Sequence, residues 1–188
     1  MRGYFGIGIE GVNKPMNVGA LLRTAHAFGA GFVFTIGADY TQREGRKADT
    51  SDAWEQVPFY AFSDLQQFAL PKGCRLVGVE LLDEAVDLPS FRHPPQAAYV
   101  LGREKGSLTP ELVARCDHVV KIPTSFCVNV AVAGAILMYD RHLSLGRFAE
   151  RALHAGGPAE PLAEHVHGAQ KFRTPERMAR FGAKPPGL

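Results

Sequence analysis

The sequence predicts an α/β fold with a mostly parallel sheet and helices on both of its faces. Short β-rich runs alternate with helix-patterned segments over the first 146 residues, as crossover-connected parallel strands require. The chain has 188 residues, 46% apolar and 21% charged, which excludes disorder throughout. A chain of this size buries about 70% of its unfolded surface, so it holds a core without disulfides or metal ions. We expect one domain over residues 1–150, followed by a basic, partly flexible tail over 151–188.

Taken in order, the strand candidates are Tyr4–Glu10, Phe32–Ile36, Phe59–Phe62, Arg75–Leu81, Ala97–Leu101 and His118–Ile122. Between the first two, Leu21, Leu22, Ala25 and Phe28 recur at helical spacing within Asn17–Phe28. Asn17 is the expected cap and Gly29 the stop. Thr109 before Pro110 reads as the cap and first residue of a second helix. A third is expected over Val128–Leu145, where Val128, Ala131, Val132, Ala135, Ile136 and Tyr139 repeat at 3.6. That helix is nearly apolar all round, so it needs cover from the core or from another subunit. The stretch Ala155–Pro161 reads as a flexible break, and Thr174–Pro175 opens a short basic helix.

No run of apolar residues is long enough for a membrane span, and the N-terminus has no secretory pattern. The expectation is a soluble cytoplasmic protein with no membrane partner and no metal. The three cysteines, Cys74, Cys116 and Cys127, form no CxxC pair and are expected to be buried, reduced thiols. Net charge is +2, divided as −1 before Arg147 and +3 from it onward, seven Lys and Arg against four Asp and Glu. Such a tail suits a polyanion or ordinary solvated surface.

Gly6, Gly8 and Gly11 spell GxGxxG, the pattern that wraps a dinucleotide pyrophosphate. Its context is wrong, because Ile7 and Ile9 alternate with the glycines and Pro15 stands where the helix should continue. A nicotinamide oxidoreductase therefore rests on these glycines alone.

Three other stretches carry chemistry. The first, NVGALLRTAHAFG, holds Asn17, Gly19, Arg23 and Thr24. The second, YVLGREKGSLTPEL, is an apolar strand ending in Gly102, Glu104 and Gly106, where glycines admit a ligand close to the backbone. The third, VVKIPTSFCVNVAVAG, runs from a strand through Pro123 and a short polar loop to Asn129 at the start of the apolar helix. In this order they resemble the three signature motifs of the SpoU branch of the SPOUT superfamily, the RNA ribose 2′-O-methyltransferases. The resemblance covers residues 5–146. The first motif is matched by Asn17, Gly19, Arg23, Thr24, Ala25, Phe28 and Gly29. The second is matched by Leu101, Gly102, Glu104 and Leu108, with Ser107 in place of a glycine. The third is matched by Ile122, Pro123, Val128, Asn129 and Val130, with Cys127 in the serine position and a shortened loop.

The resemblance implies a C-terminal trefoil knot, bent S-adenosylmethionine as methyl donor, an RNA substrate and a homodimer packed through the apolar helix. It implies donor contacts from Val79, Glu80, Leu81, Leu101, Gly102, Arg103, Glu104, Gly106, Ile122, Cys127, Val128 and Val130. It implies catalytic roles for Arg23, Asn17, Glu104 and Asn129. Arg23 would orient phosphate and hydroxyl, since a guanidinium with a pKa above about 12 is a poor base. Asn17 would position Arg23 or the ribose. Phosphate contacts are expected from Arg23, Arg43, Arg46, Lys47, Arg141, Arg173, Arg177 and Arg180. The competing reading is an RNA-binding assembly factor on the same fold without catalysis.

Overall fold

The computed structural model describes residues 3–39, 53–103, 106–146 and 148. Seven strands form one sheet: β1 (Tyr4–Glu10), β2 (Phe32–Ile36), β3 (Phe59–Phe62), β4 (Arg75–Val79), β5 (Val86–Asp87), β6 (Gln96–Leu101) and β7 (His118–Lys121). Their order is β3-β2-β1-β6-β4-β7-β5, with every neighbouring pair parallel. Among the described residues three α-helices accompany them: α1 (Pro15–Phe28), α2 (Pro110–Arg115) and α3 (Val130–Leu145).

Alternation along the strands divides the core in two. Ala97, Tyr99 and Leu101 of β6 join Ile7, Ile9, Val77 and Val120 under α1 and α3. Ala98 and Val100 face the other way, with Phe34, Ile36, Phe68 and Leu112 of α2. Both faces of the sheet are therefore covered, as parallel strands with apolar residues at successive positions demand.

Two of the three glycines of the apparent dinucleotide motif, Gly6 and Gly8, are explained by this second face. A Cβ on Gly6 would collide with the Phe32 ring, and one on Gly8 with the Phe34 ring. Gly6 and Gly8 lie inside β1 and make room for aromatic side chains of neighbouring β2, and no helix opens among them. Gly134 does the same between helices, since an added Cβ would overlap Leu21 of α1.

Helix α1 starts two residues before the expected Asn17. Pro15 occupies the first turn, where its missing N–H costs nothing, and Lys14 stands at the N-cap position, where its side chain does not cap the helix. Asn17 is thus inside the first turn and is not the cap. Gly29 closes the helix in the left-handed conformation (φ 72°). Strand β4 stops at Val79 and β7 at Lys121, which leaves Glu80, Leu81 and Ile122 in the loops beyond them. Cys74 and Cys116 are half-buried, whereas Cys127 is exposed, so only part of the expected thiol burial is found. Burial pushes the Cys116 thiol up to about 11.

Arg141, expected at the RNA surface, is instead 1% exposed and lies near the end of α3. Its guanidinium donates to Pro94 O (2.7 Å), Pro95 O (2.9 Å) and Tyr99 Oη (2.8 Å), and stacks 5.2 Å from the Phe5 ring centroid. A phosphate role is excluded by this burial. The sequence hid it because an arginine on an apolar helix reads as the polar face until its partners are known. Because Arg141 donates to Tyr99, the Tyr99 hydroxyl is free to donate to His93 Nδ1 (2.6 Å). His93 then donates from Nε2 to Asp140 Oδ2 (2.9 Å). Burial pushes Tyr99 up to about 12, with Arg141 opposing.

Burial lowers the His93 pKa below 6.5, against the pull of Asp140. The unfolded chain therefore binds the extra proton first. Stability from this group is fully present above about pH 6.5 and is lost as pH falls through the lowered folded pKa. Urea unfolding between pH 7.5 and 5 should show a loss of stability that is shallower in His93→Gln. Equal pH slopes in the two proteins would refute the assignment.

Candidate active site

The carboxyl ends of β4, β6 and β7 and the start of α3 enclose a cleft of about 200 Å³. Parallel α/β sheets place ligands at this edge because loops diverge there and leave backbone groups unpaired. The cleft is lined by Val79, Glu80 and Leu81 after β4, and by Leu101, Gly102, Arg103 and Gly106 after β6. Ile122, Thr124, Cys127, Val128, Val130 and Ala133 complete it. Every expected donor contact among the described residues is on this wall. Glu104 lies outside the described residues. Thr124 and Ala133 were not anticipated, although Ala133 is one turn from Asn129 on the same helix.

Two carboxylates hold the loops that form the wall. Glu80 accepts the backbone N–H of Leu81 on Oε1 (2.9 Å) and that of Leu108 on Oε2 (2.8 Å). This ties the end of β4 to the far side of the loop after β6. Gly102 permits the approach, since a Cβ there would lie 3.0 Å from Leu108 N and 3.2 Å from Glu80 Oε2. Glu10, at the end of β1, accepts the Thr109 N–H (2.8 Å) and hydroxyl (2.6 Å). Thr109 Oγ1 in turn caps α2 by accepting from Leu112 N at 3.3 Å. No motif reading singled out Glu10, because its partner is 99 residues away in sequence.

Asn129 is the N-cap of α3. Its Oδ1 accepts from Ala131 N (2.9 Å) and Val132 N (3.4 Å), so its amide nitrogen must point outward, where Nδ2 donates to Asn17 Oδ1 (3.2 Å). Asn17 Nδ2 is left buried with no partner among the described residues. The first and third motifs are thus joined beside the cleft, next to its lining residues Val128 and Val130.

Arg23 is not brought into the cleft. It lies about 9 Å further along α1 than Asn17 and roughly 240° around the axis. It is exposed on the side opposite Val18, Leu21, Leu22 and Ala25, in a stripe with Met16, Ala20 and Ala27. Adjacent α3 exposes Val132, Ile136 and Tyr139 at helical spacing. Arg43, Arg46, Lys47, Arg173, Arg177 and Arg180 lie outside the described residues. Among the described residues no cluster of side chains is arranged to hold a metal ion, and no helix is long and apolar enough to cross a membrane.

The model of the SpoU rRNA Methylase family matches residues 5–139. The chain belongs to this family. The matched span holds β1 through most of α3, and so the two stretches that line the cleft and the one bonded to them through Asn17. Among its SpoU relatives, the tRNA (guanosine(18)-2′-O)-methyltransferase of Escherichia coli (strain K12) is 31% identical over 137 residues. That alignment covers 70% of this chain and 60% of the enzyme's own length. A structure reported as "Structural insights into the 2-OH methylation of C/U34 on tRNA" is 25% identical, with a TM-score of 0.68. It is covered over 98% of its length by 77% of this chain. The AdoMet-bound rRNA methyltransferase from Sinorhizobium meliloti shares the fold at 21% identity and a TM-score of 0.67, covering 78% of this chain and 59% of that one.

Proposed function

We propose that the protein is an S-adenosylmethionine-dependent methyltransferase acting on the ribose 2′-hydroxyl of a nucleotide in structured RNA, either tRNA or rRNA. The observation that carries this reading is that the second and third stretches line one cleft and the first is bonded to the third beside it. Asn17 of the first is bonded to Asn129 of the third, and the wall is closed by the loop of the second. The catalysed transfer is preferred to an inactive RNA-binding role, because the relatives named above are methyltransferases and Asn17, Arg23 and Asn129 are all retained.

The cleft suits the donor. Val79, Leu81, Leu101, Ile122 and Val130 offer apolar surface for a planar base, Gly102 admits close approach to the backbone, and Glu80 and Thr124 supply polar anchors. S-adenosylmethionine would supply a methyl group on an electrophilic sulfonium. Protein side chains then have to hold the ribose oxygen in line and assist loss of its proton, a largely positional task. We assign phosphate and hydroxyl orientation to Arg23, orientation of the neighbouring groups to Asn17 and Asn129, and shaping of the cofactor loop to Glu104. The segment from β6 onward is inferred to form the trefoil knot, in keeping with β6 lying between β1 and β4 and with α3 packed beside α1.

We further infer a homodimer. Val132 and Tyr139 are 49% and 53% exposed on α3, and Met16 is 76% exposed on α1. Apolar stripes of this kind on adjacent helices form a self-complementary surface under two-fold symmetry. Arg23 sits in the same stripe, so pairing carries it to the subunit boundary. Arg43, Arg46, Lys47, Arg173, Arg177, Arg180 and the basic tail are assigned to RNA phosphates, and the site of action is the cytoplasm.

Calorimetry should show binding of S-adenosylmethionine and its demethylated product, and light scattering should give twice the 20.4 kDa chain mass. Mapping of ribose methylation in RNA from cells with and without the gene should show one nucleotide losing its methyl group. Absence of donor binding together with binding of a nicotinamide cofactor would overturn the reading.

A further inference from the structure

We propose that Glu80 is the ribose-recognising residue of the donor site, accepting both hydroxyls of the adenosyl ribose on its two carboxylate oxygens. This rests on the reading of the cleft as an adenosyl-donor site. An ionised carboxylate has about four acceptor positions. In Glu80 two of them are used by partners among the described residues, one on each oxygen, by Leu81 N–H and Leu108 N–H. One acceptor position per oxygen remains, which matches the two donors of a cis-diol.

The location favours the ribose over the amino-acid end of the donor. The carboxylate is held on the β6 side of β4, against Gly102 and Leu108. Thr124, Cys127 and Val128 reach the cleft from the β7 side. Next to Glu80 are the apolar Val79, Leu81 and Leu101, the surface suited to the base. The ribose is the part of the donor bonded directly to that base, so a polar group bordering the apolar slot meets its hydroxyls. The two backbone bonds fix the carboxylate before the ligand arrives, so little side-chain freedom is lost on binding.

The same carboxylate also holds a loop, so lost affinity in a variant is not sufficient evidence. The test is a comparison of ligands across proteins. S-adenosylhomocysteine and its 2′-deoxy and 3′-deoxy forms are titrated calorimetrically into wild type, Glu80→Ala and Glu80→Gln. Each missing hydroxyl should weaken binding to wild type by about 10- to 100-fold, as expected for a hydrogen bond to a charged group. In Glu80→Ala the three ligands should bind with nearly equal affinity, because the partner of both hydroxyls is gone. If that variant binds too weakly to titrate, Glu80→Gln decides, with the penalty reduced for at least one hydroxyl. A hydroxyl penalty undiminished in the variants would overturn the proposal, since Glu80 would then act only on the loop. Failure of wild type to bind S-adenosylhomocysteine at all would instead overturn the donor-site reading beneath it.

Discussion

Arg23→Ala is expected to lower methyl transfer to RNA by about 100-fold or more while leaving the affinity for S-adenosylmethionine unchanged. The separation follows from position. Arg23 is absent from the wall of the cleft proposed for the donor and is exposed on the opposite side of α1 from the core, so its loss opens no cavity and removes no residue from that wall. A group that stabilises developing charge or assists proton loss is worth about this factor in rate. Arg23→Lys should recover little, because a point charge does not reproduce a planar fork aimed at phosphate and hydroxyl. Single-turnover kinetics with a mapped RNA substrate, beside calorimetry of the donor, reads both quantities. Wild-type turnover in Arg23→Ala would sink the catalytic assignment without touching the fold.

Arg141→Ala should have the largest effect on stability, about 3 kcal/mol or more, since a hydrogen bond to a charged group is worth about 1.5–3 kcal/mol and bonds to Pro94, Pro95 and Tyr99 are lost. Against a total of about 5–15 kcal/mol this is a large fraction. The guanidinium joins α3 to the carbonyls of Pro94 and Pro95 and to Tyr99 on β6. Without it the two carbonyls and the buried Tyr99 hydroxyl lose a charged donor, and the Phe5 and Tyr99 rings lose their cation. Arg141→Lys should remain strongly destabilised, since one ammonium cannot span acceptors arranged around a plane. Denaturant unfolding measures the loss. A variant within 1 kcal/mol of wild type would show that the network contributes little. RNA affinity and its salt dependence, measured on whatever fraction folds, should be unchanged, because Arg141 does not reach the surface.

The sheet was largely legible because parallel strands buried on both faces carry local signals. Six of the seven strands lie within two residues of their expected limits; only Val86–Asp87 was not anticipated, and two residues carry no periodicity. The apolar helix was legible for the same reason, but its start moved from Val128 to Val130 because Asn129 is spent on the cap. Apart from Thr124 and Ala133, the residues that line the cleft were named together through the resemblance, and those the structure describes share one wall. Glu10, Thr124 and the His93–Tyr99–Arg141 network were not legible, since each depends on a contact or loop geometry that no local pattern encodes.

By itself the amino-acid sequence determined the alternation of strands and helices, the apolar character of α3, and the order of the three motif stretches. These follow from side-chain periodicity and from residue types at short range. Tertiary structure alone decided which way the ambiguous residues turn. It placed Gly6 and Gly8 under the rings of Phe32 and Phe34, sent Arg141 inward to backbone carbonyls, and bonded Asn17 to Asn129 across 112 positions. It also kept Arg23 out of the cleft that the second and third motifs line. A polar or flexible residue carries no information about its direction until the groups that desolvate or pair with it are in place, and those groups come from distant parts of the chain.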